Sequence, residues 1–168
     1  VSSANSDPWL VAHHDEIRRL EPRLLVLDFV NGVPVADVRK KVEELIAALA
    51  ESSRYHGFED PAAPVFLQYR IEKLVDLADP DPLPKTPDGS STKYPRVPDW
   101  KEGLNFDYAA LHTQEFAAHY GYRDPQDPKR FLTLGELLAR GTIHELWFVA
   151  RQGDFGSPFE CVEQKPVY

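Results

Sequence analysis

The chain has 168 residues, 42% of them hydrophobic, which is the size of one domain with enough apolar side chains for a continuous core and leaves no room for a second full domain. Its formal net charge is −8, and no cluster of Lys and Arg lacks interleaved acids, so nucleic acid and anionic membrane, which both need a positive patch, are disfavoured as partners.

In chain order, Asp7-Pro8 is a helix-start signal, and Trp9, Leu10, Ala12, Ile17 and Leu20 follow with a ragged helical period. This predicts a helix over 9–20, stopped by Pro22. The run Leu24-Leu25-Val26-Leu27-Asp28-Phe29-Val30 is apolar apart from Asp28 and has the length of a strand covered on both faces, so it is the expected central strand. Asn31-Gly32-Val33-Pro34 is a turn. Val38, Val42, Leu45, Ile46 and Leu49 then fall on one helical stripe, with Arg39, Lys40, Lys41, Glu43, Glu44 and Glu51 on the other side, which predicts an amphipathic helix.

A break rich in Gly and Pro over 57–64 leads to a second strand over 65–74. Apolar and polar residues alternate there from Leu67 to Lys73, as they do on a strand with one wetter face near a sheet edge. Strand, helix, strand is a βαβ unit, whose crossover is right-handed as a rule. From 79 to 100 the chain carries Pro80, Pro82, Pro84, Pro87, Pro95 and Pro98, so neither helix nor inner strand can persist, and a long loop is expected, either a connector or a lid. A helical pattern returns over 106–120 and ends at Gly121. Thr133 with Glu136 forms a capping box for a short helix closed by Gly141. A third strand is expected over 143–150, followed by a loop at 153–158. The expected fold is a three-layer α/β domain with a mainly parallel sheet flanked by helices.

Parallel sheets bind ligands outside the carboxyl ends of their strands, and that rule nominates three segments. Asp28 with Asn31 and Gly32 closes the first strand. A carboxylate there can bind a divalent metal or act as acid or base; the plainer reading is that Asp28 bonds local backbone and Asn31-Gly32 turns the chain. The second segment runs from Arg151 to Gly156, where Gly153 and Gly156 permit close approach and Asp154 with Glu160 supplies paired carboxylates. Its plainer reading is a surface turn into an edge strand. A third candidate lies on the helix over 106–120: Tyr108, His112, Glu115 and His119 fall within about 60° of one another at 100° per residue. His112 and His119 are about 10 Å apart along the axis, which strains a shared metal, so a polar helix flank is the better reading.

Cys161 is the only cysteine, which excludes an intrachain disulfide and a multi-cysteine zinc site. No activating signature surrounds it, so it reads as an inert thiol. No apolar run approaches the roughly 18 residues that span a bilayer. Nor does the chain contain Gly-x-Gly-x-x-Gly, Gly-x-x-x-x-Gly-Lys-Ser/Thr, Gly-x-Ser-x-Gly or His-Glu-x-x-His, the signatures of nucleotide binding, serine hydrolysis and zinc proteolysis. The chain opens on Val1 and a small polar run rather than on Met, an end that leader cleavage, loss of a pro-segment or trimming would leave.

The stretch Gly141-Thr142-Ile143-His144-Glu145-Leu146-Trp147-Phe148, followed by Gly153 to Glu160, resembles a group of uncharacterised bacterial, exported α/β proteins. In that group a Gly-x-Ile-Asp-Glu-Val-Trp segment precedes a glycine- and aromatic-rich loop ending in Phe-x-Glu-Ser. Here His144 stands for the Asp and Cys161 for the Ser. The resemblance covers about the last quarter of the chain, with a looser echo over 24–74. It implies an α/β fold, export to the cell envelope or beyond, and relatives that continue past Tyr168; it implies no reaction.

Two functions are then expected to compete. One is a hydrolase acting on an extracellular polymer or small conjugate, with Asp28, Asp154 and Glu160 at the carboxyl edge and the proline-rich loop over it. The other is a non-catalytic module that binds a glycan, small molecule or protein through Trp100, Tyr94 and Trp147. Convergence of the three carboxylates with a perturbed pKa is the observation that would favour chemistry.

Overall fold

The computed structural model of the chain describes residues 8–13, 19–54, 62, 64–78 and 107–150. In order they form α1 (Pro8–His13), β1 (Arg23–Asp28), α2 (Val35–Ser52), β2 (Arg70–Asp76), a 3-10 turn (Tyr108–His112), α3 (Gln114–Tyr120), α4 (Leu134–Ala139) and β3 (Glu145–Val149). The strands form one sheet in the order β2-β1-β3, and both neighbours run parallel to β1. The expected α/β architecture, a parallel sheet flanked by helices, is the one adopted.

The apolar run of β1 is explained by its position. Leu24, Leu25, Val26 and Leu27 are all 0% exposed. Side chains alternate across a strand, so Leu25, Leu27 and Phe29 enter a core with Phe116, Ala117 and Tyr120 of α3 and Leu134 and Leu137 of α4. Leu24 and Val26 point the other way, against Val42 and Ile46 of α2. Each fully buried side chain of this kind contributes about 1.5–3 kcal/mol relative to exposure.

α2 uses a narrower stripe than its sequence pattern predicts: Val38 and Val42 are buried and Ile46 and Leu49 half-buried, but Leu45 stays 51% exposed. β2 is an edge strand as expected, although it sits further along the chain than the alternation suggests. Leu67 makes only an isolated parallel bridge with Leu20. The ladder starts at Arg70, whose N–H donates to the Pro22 carbonyl at 2.9 Å, because β1 itself starts only at Arg23. Between Leu24 and Leu25 the register shifts by one, so Leu24 pairs with Ile71 and Leu25 with Lys73, and Glu72 is left over.

Two helices differ from expectation. Leu20 does not end the first helix: its N–H donates to the Phe66 carbonyl at 2.7 Å and its carbonyl accepts from Gln68 at 2.8 Å, which makes it part of the bridge to Leu67. Residues 14–18 lie outside the described residues. The pattern over 106–120 is two elements because Thr113 interrupts it. Thr113 takes extended backbone angles, and its Oγ1 accepts from the Phe116 N–H at 3.2 Å, so a residue that caps well in preference to continuing a helix starts α3 afresh.

α4 opens with the predicted capping box of Thr133 and Glu136. After it, Gly141 takes φ +62 and Ile143 is fully buried just ahead of β3. No helix among the described residues is long and apolar enough to cross a membrane. The proline-rich stretch at 79–100 and the loop at 153–158 lie outside the described residues.

Candidate active site at the carboxyl edge of the sheet

Asp28 is the last residue of β1 and is 1% exposed. It is held through both its backbone carbonyl and its side chain. Its carbonyl accepts from the Leu77 N–H at 2.8 Å, and its Oδ1 accepts from the Val30 N–H at 2.9 Å. The second bond is the local backbone contact of the plainer sequence reading.

The register adds what the sequence did not. Asp28 pairs with Val149 on β3 and with Asp76, the last residue of β2. Paired residues of adjacent strands lie about 4.8 Å apart and project from one face. For Asp28 and Asp76 this is the α2 face, since they continue the alternation of Leu24 and Val26 on β1 and of Leu74 on β2. Asp76 is exposed, and its Oδ1 accepts from the Ala78 N–H at 2.9 Å, so both aspartates close their strands with the same two-residue backbone turn.

Burial of Asp28 pushes its carboxyl above the ordinary carboxylate range. The Val30 N–H opposes that rise, and the charge of Asp76 adds to it. The chain then turns at Asn31-Gly32, where Gly32 supplies φ +70, and enters the 18-residue α2 at Val35. The carboxyl edge therefore carries a buried acid disfavoured as an anion, an exposed carboxylate beside it, and the start of a long helix.

Other perturbed acids differ in kind. Between α3 and α4, Asp124 is 4% exposed and bonds Arg130, with Arg140 at 3.5 Å. Arg130 also bonds both carboxylate oxygens of Glu136, at 2.7 and 2.9 Å. Arg130 with the Thr133 N–H lowers Glu136 to about 2, and the Gln126 N–H with Arg130 lowers Asp124. In this network each negative charge is met and stabilised, as in a structural clasp; at Asp28 it is opposed.

Of the three carboxylates expected at the carboxyl edge, Asp28 is the one described; Asp154 and Glu160 lie outside the described residues, as do Cys161, Tyr94 and Trp100. Trp147 is anchored: its Nε1 donates to Glu145 Oε2 at 3.0 Å, and its ring packs at 5.1 Å on Tyr69, whose hydroxyl donates to Glu145 Oε1 at 3.1 Å. His144 lies at the opposite, amino edge of the sheet, where its Nδ1 accepts from the Arg23 N–H at 2.9 Å and its own N–H donates to the Arg23 carbonyl at 2.8 Å. The Ile143 to Trp147 segment thus fastens β3 to the sheet. His112 and His119 are separated by the break at Thr113, and the His119 ring meets Phe116 edge-on at 5.2 Å. Among the described residues no group of three or more His, Cys, Asp or Glu is arranged to hold a metal ion.

Asp76 was not nominated from sequence because the predicted strand stopped at Leu74. The available signal was that Asp76 interrupts the apolar run Leu74-Val75-Leu77 just as Asp28 interrupts its own. No family model, curated protein or solved structure matches the chain.

Proposed function

We propose that this chain is a hydrolase-like enzyme domain whose acid–base chemistry is centred on the Asp28 and Asp76 pair at the carboxyl edge of its parallel sheet. The observation that carries the reading is the in-register pairing of a buried aspartate, with its charge disfavoured, and an exposed one on the same face. Asp76 is the carboxylate that meets substrate. Asp28 is a positioning residue: buried beside Asp76 with its charge disfavoured, it takes up a proton more readily than an ordinary aspartate. Asp154 and Glu160 belong to the same proposal as acids from the loop that follows β3. Support goes to proton transfer in preference to a metal-bound water because two carboxylates, each with one oxygen already engaged by a backbone N–H, make a poor donor set for a divalent ion.

The test has two arms. Purified protein is assayed against p-nitrophenyl esters, phosphates and glycosides, with Asp76→Asn and Asp28→Asn alongside. On a class that is turned over, Asp76→Asn is expected to lower kcat by about 100-fold or more, the usual contribution of a general acid or base. Asp28→Asn is expected to shift the pH profile. The second arm needs no substrate: the carboxyl carbons of Asp28 are followed by NMR through a pH titration. An Asp28 that titrates at its ordinary value, or variants that keep full turnover, would remove the reading.

A further inference from the structure

We draw no further inference here: the strongest candidate, the surface aromatic patch in which Tyr108 meets Phe148 edge-on and Phe148 stacks on Phe29 near the carboxyl edge of the sheet, is an apolar face for which nothing among the described residues shows what covers it.

Discussion

Tyr120 and Tyr122 sit two residues apart and both face burial, yet their hydroxyls are in opposite circumstances. The Tyr120 hydroxyl donates to the Leu111 carbonyl at 2.8 Å in a fully buried position, tying the 3-10 turn to α3. Among the described residues the Tyr122 hydroxyl is buried without a partner, while its ring lies 4.9 Å under the Lys73 ammonium. A hydrogen bond is worth little net when made, but a buried polar group left unpaired costs its full desolvation. Tyr120→Phe should therefore destabilise the protein by about 1–2 kcal/mol, because it orphans the Leu111 carbonyl. Tyr122→Phe keeps the ring under Lys73 and deletes the unpaired oxygen, so it should be neutral or stabilising by up to about 1 kcal/mol. Urea unfolding of both variants checks this, and a loss of similar size in the two would show that the Tyr122 hydroxyl has a partner after all. The same scale governs the candidate site. Asp28 could be nominated from sequence because a lone charge inside an apolar run stands out, whereas its interaction with Asp76 depends on which residues of two strands align, which composition does not encode.

Elements were legible where a short-range rule fixes them, and shifted where a tertiary contact does. The Thr133 and Glu136 box and the stop at Gly141 follow from hydrogen bonds within a few residues. The start of β2 does not, because it depends on where Pro22 lets β1 begin and on the register shift at Leu24 and Leu25. That shift places Lys73 opposite Leu25, and its Nζ donates to the Tyr120 carbonyl at 2.5 Å. A cation on the last carbonyls of a helix satisfies an open acceptor and opposes the negative end of the dipole. Gly121 follows with φ +70, and a Cβ there would come 2.8 Å from the same Nζ. Lys73→Met should thus cost about 0.5–1 kcal/mol, mostly through fraying of α3. Gly121→Ala should cost about 1 kcal/mol or more, since it combines a left-handed backbone with displacement of that cation. Because both act on one helix end, the double variant should lose less than the sum of the two. Strict additivity in thermal melts would separate Lys73 from the α3 terminus.

For the whole molecule, these acids pull stability in opposite directions along the pH axis. Glu136 has its carboxyl lowered from an ordinary 4.5 to about 2, and Asp124 is lowered as well. Groups of this sign stabilise the fold above their unfolded values, and that stability is lost as pH falls from the ordinary carboxylate range toward about 2. Asp28 is raised above its ordinary 3.8, so the native state holds its proton more tightly than the unfolded chain does. Its contribution is most favourable below 3.8 and is lost as pH climbs through the raised value. Stability should therefore pass through a maximum in weak acid and decline on both sides. Asp28→Asn keeps an oxygen for the Val30 N–H but carries no charge, so at neutral pH it should melt above the parent. That advantage should vanish in acid, where both proteins are uncharged at this position. Glu136→Gln should show the reverse: less stable than the parent at neutral pH, with the gap closing toward about pH 2. Melting curves of the three proteins from about pH 2 to about pH 8 decide the matter. A gap between Asp28→Asn and the parent that does not change with pH would mean that charge at Asp28 costs the fold nothing. A gap that opens with pH would mean that the carboxyl edge carries an ionisable group at the expense of stability, as expected where a buried acid with its charge disfavoured serves chemistry.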